Sequence, residues 1–346
     1  MNRAPHPGNP SEPISAAASE RRRNPYLAFA TRAGAGIVVV AFILWRVDAR
    51  PVFHALARER LGWFATAIAA YLAMQVLSTW RWRLLAKIAA LGGPFSEYLS
   101  YYFIGMFTNL FVPGLIGGDA ARALYLGRRQ SRMGDAVASV IYDRGIGFAA
   151  LFWFAAAMAL TIRAVTLPLS LSRAVEVAGI VTFAGWLASP IMARIGAAFD
   201  GRPGRFVKPI LPYLRNPLAT IPAAILSIIL QASIAFAQYL IARGLGLNAP
   251  LTVFLLCVPI ANVAASLPVT LNGLGVREAA YLMLFGYAGI ARPEAIALGL
   301  LWFSATTLAG LTGLIAFITT KLPTPADETF TPFEVSDGAA SIRHGR

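Results

Sequence analysis

The sequence predicts an all-α polytopic membrane protein of about eight transmembrane helices, and three observations carry that expectation. Of 346 residues, 57% are hydrophobic and only 13% charged, with a mean hydropathy of +0.62. A soluble domain carries roughly a quarter charged residues. Residues 61–80, 98–118, 145–162, 177–193, 216–242, 244–276 and 295–320 contain no Asp, Glu, Lys or Arg, and about 20 apolar residues cross a bilayer as a helix. Finally, the arginines cluster at the ends of these runs, which is a topological pattern. Alternating segments of a membrane barrel are absent, so helix is the form that satisfies the backbone in lipid.

The elements follow in order. Residues 1–27, with Pro5, Pro7, Pro10, Pro13 and Pro25 among polar residues, read as a disordered cytoplasmic tail, and 321–346 as another. Between them lies a membrane domain, 28–320. Its first apolar run, Ala33–Trp45, reads as an uncleaved helix because its polar leader is too long for a signal peptide. Spans are expected near 28–47, 61–80, 137–162, 176–196, 217–241, 250–270, 277–291 and 295–320. With 98–118 re-entrant, 21 of the 30 Lys and Arg fall inside and eight outside, while Arg144 lies within a helix. Were 98–118 a full crossing, the basic segment 194–215 would face outside. The loop 46–60, with Arg46, Arg50, Arg58 and Arg60, fits the outside poorly.

Composition also excludes function classes. The net charge of +14, from 27 Arg, 3 Lys and 16 acids, would indicate nucleic acid in a soluble protein. Here the membrane reading takes precedence, and no nucleic-acid partner is expected. The single cysteine, Cys257, excludes a disulfide framework and a cysteine-based metal site. His6, His54 and His344 are too scattered for a zinc cluster. No GxxxxGK[ST] motif is present. No cofactor, metal or ATPase chemistry is expected, and the chain reads as a non-enzyme. The excess of Arg over Lys is the codon signature of a GC-rich bacterial genome, which points to a bacterial inner membrane.

Two apolar stretches are interrupted. In Tyr101–Arg122, a helix through Asn109 to about Phe111 meets Pro113, which removes a backbone donor. Gly114, Gly117 and Gly118 then permit tight backbone turns. Asp119 suits the N-cap or first turn of a new helix. A second broken segment near 267–278 contains Pro268, Asn272, Gly273, Arg277 and Glu278. Pro113 to Arg122 and Pro268 to Arg277 are both nine residues. Paired interrupted helices mark the binding site in many transporters. The competing reading is two Gly/Pro-rich loops.

Asp143 and Arg144 begin an otherwise apolar stretch. Adjacent residues project about 100° apart on a helix, so each needs a partner elsewhere. The functional reading competes with snorkelling to the interface. Together, two helix N-termini, Arg122, Arg144 and Arg277 as forked donors, Asp119 and Glu278 as orienting acids, and Asn109 and Asn272 as neutral donors would receive a lipid phosphate. Gly117, Gly118 and Gly273 would let the headgroup approach the backbone.

The run FIGMFTNLFVPGLIGGDAARALYL, the element Tyr142-Asp143-Arg144-Gly145 and the run LPVTLNGLGVREAAYLMLFG occur in that order. The chain over about 30–320 resembles the lysylphosphatidylglycerol synthase transmembrane-region family, also called flippase-like. The resemblance implies movement of a lipid between leaflets, the substrate being an anionic, polyprenyl or hopanoid-type lipid, and partnership with lipid- or glycan-synthesis enzymes. With a short tail after 320, it also implies a stand-alone member without the soluble aminoacyl-transfer domain. Two alternatives remain at this stage: a membrane transferase using Asp119 or Asp143 as base, and an accessory subunit of a lipid-synthesis complex.

The charge bias predicts that both termini face the cytoplasm. Cysteines introduced within 1–27 and 322–346 of a Cys257→Ser variant should resist an impermeant reagent in intact cells. Labelling of either tail would make 98–118 a crossing.

Overall fold

The computed structural model describes residues 54, 56–57, 59–111, 116–162, 165–198, 207–265 and 276–323. The expected tails (apart from residues 321–323), the expected first span and the core of the second broken segment lie outside the described residues. Among the described residues there is no strand. The helices are α1 (Leu61–Ile88), α2 (Phe95–Phe111), α3 (Ile116–Gln130), α4 (Met133–Thr161), α5 (Leu169–Leu187) and α6 (Ser189–Ala197). They continue with α7 (Leu211–Arg215), α8 (Ile221–Gly244), α9 (Leu251–Ala265), α10 (Val276–Tyr287), α11 (Arg292–Leu311) and α12 (Gly313–Thr319). The protein is an all-α, multi-pass membrane protein.

Among the described residues four or five helices are candidate spans, and the expected first span lies outside them. Leu61–Ile88, Met133–Thr161, Pro217–Gly244 and Arg292–Thr319 are long and apolar enough to cross, and α5 with α6 adds a fifth if that pair, bent by 52°, is one span. The segment expected as a span at 277–291 is instead α10, whose 12 residues extend about 18 Å, short of a hydrocarbon core of roughly 30 Å. The span expected at 176–196 is broken at Ala188, where the α5 carbonyl ladder ends and Pro190 enters the first turn of α6.

One end of the bundle is basic. There Arg83 donates to the Gly93 carbonyl, Gln130 to that of Gly92, and Arg132 to that of Ala90. These bonds join the end of α1 to the end of α3 and the start of α4. α1 and α8 run antiparallel: the Arg60 amide donates to the Gly244 carbonyl (3.3 Å) at the opposite end of the bundle, and Arg81 reaches Ser227.

α2 and α3 form a hairpin that opens at the basic end. Arg129 pairs with Glu97 at its mouth, and the Tyr101 and Tyr125 rings meet at 5.3 Å further in. Segment 98–118 therefore enters and returns on the same side. The two helices approach closely because Gly105 faces Gly118. Inside the hairpin, the Asn109 Oδ1 accepts the Gly118 amide at 2.7 Å, satisfying one of the orphan donors of the α3 N-terminus. Asp119 falls in the first turn, as expected.

α9 and α10 form a second hairpin. Phe254 meets Phe285 at 5.3 Å, and Cys257 lies against the Leu284 carbonyl. α9 starts a few residues after α8 ends, so this hairpin opens at the end opposite the first. Both pack on α11, Leu110 against Gly310 and Glu278 against Gly299. Two buried apolar cores result, one around α1–α4 and one around α8–α11. α5 leans on α4 through Gly179, beside the Phe152 carbonyl, and presents Val177, Ile180, Val181 and Phe183 outward to lipid.

Two glycines predict opposite outcomes. A Cβ at Gly118 would overlap the Gly105 carbonyl oxygen and stand 2.6 Å from Asn109 Nδ2. At Gly145 it would meet nothing within 4 Å. Gly118→Ala should destabilise by about 1–3 kcal/mol. Gly145→Ala should be neutral or stabilising by up to about 1 kcal/mol. Thermal unfolding in detergent checks both, and equal effects would refute the close-packed hairpin.

Candidate functional site

The site is built where α1, α3, α4 and α8 converge. Asp143, on α4, is 1% exposed and accepts from two guanidinium groups: Arg81 Nε at 2.9 Å on Oδ1 and Arg122 Nη1 at 3.3 Å on Oδ2. Arg81 also donates to the Ser227 hydroxyl at 3.0 Å, and Gly147, one turn after Asp143, leaves the room its guanidinium occupies. Arg122 reaches Asp119, one turn earlier on α3, through Nη2 at 2.6 Å. Its guanidinium carbon lies over the Trp82 ring at 5.0 Å and the Tyr102 ring at 4.7 Å, cation–π contacts that suit a desolvated guanidinium. Asp119 in turn holds Arg144 through a two-pronged bridge, Nε to Oδ2 at 2.7 Å and Nη2 to Oδ1 at 2.9 Å.

The result is an alternating series: Arg81, Asp143, Arg122, Asp119, Arg144. Three cations against two anions leave a net charge of +1. Burial grades along it. The Arg81 and Arg122 side chains are 10% and 3% exposed, while that of Arg144 is 45% exposed. Arg144 is therefore the open end of the series. Each internal member of the series has two opposite charges as neighbours, which offsets the cost of removing it from water.

Asn109, Gly117, Gly118, Asp119, Arg122, Asp143 and Arg144 are thus brought together. Asp143 and Arg144 do not pair with each other, as their projection requires; each has its own partner. Arg277 and Glu278 lie in the first turn of α10 at the other hairpin. Glu278 is wholly buried against Gly299, and the Arg277 Nε is buried with no hydrogen-bond partner. Tyr71 of α1 lies within electrostatic reach of both Arg144 and Arg277. Asn272 and Gly273 lie outside the described residues. Among the described residues no cluster of His, Cys, Asp and Glu is arranged to hold a metal ion.

Sequence reasoning missed Arg81, Trp82 and Ser227. Arg81 ends an apolar run and was counted among the topological cations; its structure is that of a buried ion-pair partner, 8% exposed overall. The available signal was charge balance: Arg122 and Arg144 with Asp119 and Asp143 make two cations and two anions, yet Asp143 still has an oxygen to fill.

Removing one partner of a buried pair costs about 3–5 kcal/mol. Arg81→Leu and Asp143→Leu should each approach that loss, and the double variant should be less destabilised than the sum. Additive losses in a thermal-unfolding cycle would show the pair is uncoupled.

No curated protein and no solved structure matches the chain. The ordered motifs, the opposed hairpins and the ion network stand on their own residues, and one family profile covers nearly all of them. The profile described as the lysylphosphatidylglycerol synthase TM region matches residues 28–313, and the chain belongs to that family.

Proposed function

We propose that the protein translocates an anionic lipid between leaflets, with the headgroup phosphate received at Arg144. The observation that carries this reading is the net charge of +1 on a five-member ion series whose last member is partly exposed. A monoanionic phosphodiester neutralises that charge. Arg144 matches a phosphate with the same fork it applies to the Asp119 carboxylate. Asp119 thus offers Arg144 the same pair of oxygens that a phosphate would offer. An entering phosphate exchanges places with it, and Arg122 retains Asp119 within the series. Arg122 acts by positioning, since its terminal nitrogens are committed to Asp119 and Asp143. Arg277, within electrostatic reach of the same Tyr71 as Arg144, offers the next cation along the path. Two hairpins inserted from opposite ends supply the elements that alternate access.

The transferase reading is weakened by the same geometry. Both Asp143 oxygens are occupied by guanidinium groups, so neither is presented to a substrate hydroxyl. The accessory-subunit reading gives the partly exposed end of the ion series no role. Bacterial inner-membrane location and cytoplasmic termini complete the proposal.

Proteoliposomes holding fluorescent phosphatidylglycerol and no soluble donor test it. Leaflet exchange is expected for the wild type. Arg144→Lys keeps the charge and loses the fork, and should slow exchange; Arg144→Ala should slow it about tenfold to a hundredfold, the worth of a charge-assisted hydrogen bond. Asp119→Asn should bind the lipid more tightly and turn it over more slowly. A covalent lipid product without exchange would favour the transferase, and normal exchange by Arg144→Ala would remove Arg144 from the path.

A further inference from the structure

A second cationic feature lies away from the ion network. Beyond the 52° bend, α6 carries two faces. Ile191, Met192 and Ile195 are 61%, 58% and 62% exposed and share one side. Pro190, Ala193, Arg194 and Ala197 share the other and, with Arg215 of α7, line a cleft of about 240 Å³. The cleft is preformed. Gly196 packs against Val207 and Leu211, and Tyr213 of α7 is buried and stacked on Tyr142 at 4.6 Å. It sits at the basic end, because Pro209, just before α7, packs on Gly134 at the start of α4.

Among the described residues no acid lines this cleft, and neither Arg194 nor Arg215 takes part in an ion pair or side-chain hydrogen bond. Two guanidinium groups facing one small cleft repel each other unless an anion sits between them. The exposed apolar side chains on the far face of the same helix place it at the boundary between acyl chains and headgroups, the position of an interfacial amphipathic helix. A soluble anion would have no use for that apolar face; a lipid would meet both.

We propose that the Arg194–Arg215 cleft binds the phosphate of an anionic phospholipid in the leaflet at the basic end, as a resident lipid distinct from the transported one. The two arginines grip the phosphate in the cleft, and the far face, with Ile191 and Ile195, seats α6 among the neighbouring acyl chains. Holding that lipid fixes the α5–α6 elbow against α4, the helix that carries Asp143 and Arg144.

The full chain in maltoside micelles provides the test, read as the thermal-unfolding midpoint with added dioleoyl phosphatidylglycerol, dioleoyl phosphatidylcholine or inorganic phosphate. Phosphatidylglycerol should raise the wild-type midpoint and the other two should not. Arg194→Ala/Arg215→Ala should lose most of that rise, whereas Arg144→Ala/Arg277→Ala should keep most of it, which separates this cleft from the transport path. If the double alanine variant does not fold, Arg194→Lys/Arg215→Lys, which keeps the charges and loses the forks, should show a reduced rise. An undiminished rise in either cleft variant overturns the proposal. So does an equal rise with inorganic phosphate, which would mark a soluble-anion site, or with phosphatidylcholine, which would mark a site for acyl chains alone.

Discussion

One buried carboxylate organises this membrane domain. Asp143 stands on α4 almost without solvent, and its two oxygens are claimed by arginines from α1 and α3. An isolated charge in such a place would cost several kcal/mol. Compensating it dictates where three helices must lie, because a guanidinium reaches only a few ångströms beyond its backbone. α8 joins the arrangement through the Ser227 hydroxyl on Arg81. Apolar packing alone would tolerate slippage among these helices, since one lipid-compatible face resembles another. The ion series permits one register.

The two re-entrant hairpins depend on that register and on small residues. Half-helices within a membrane need their exposed amides satisfied and their polar tips kept from lipid. In the first hairpin the Asn109 side chain satisfies the Gly118 amide, and Gly105 and Gly118 let the backbones nearly touch. In both, a glycine of α11 receives a side chain from near the tip, Leu110 at Gly310 and Glu278 at Gly299. Opposed insertion brings charged first turns from both ends toward the interior. Asp119 and Arg122 arrive from one side, Arg277 and Glu278 from the other.

How much was legible in the sequence differs by feature, and the differences have physical causes. The break after Phe111 was readable because proline and glycine restrict and relax the backbone locally, whatever the surroundings. The return of 98–118 to its own side was readable from charge bias, which reports membrane sidedness. The role of Asp119 as a first-turn acid followed from local helix electrostatics. The segment expected as a span at 277–291 is instead a 12-residue helix, because the length of an apolar run does not say how much of it is one helix. The bend between α5 and α6 was missed because the span at 176–196 was drawn from an uncharged run, and such a run does not show where a helix ends; α5 ends at Leu187. Arg81 was misread because partnership between residues far apart in sequence leaves no local trace. Its position at the end of an apolar run looks the same whether the side chain points to headgroups or inward to Asp143.

That long-range partnership has a consequence for how the chain is made. Arg81 lies 62 residues before Asp143, and Arg122 lies 21 before it. During synthesis, α1 and the first hairpin reach the membrane carrying cations whose counter-charge has not yet been translated. Asp119 can neutralise Arg122 at once, but Arg81 must wait at the headgroup boundary until α4 arrives. The N-terminal third of the protein therefore cannot settle on its own. It completes its insertion only when the ribosome delivers Asp143 and Arg144 together, and their adjacency lets one helix close both ends of the series in a single step.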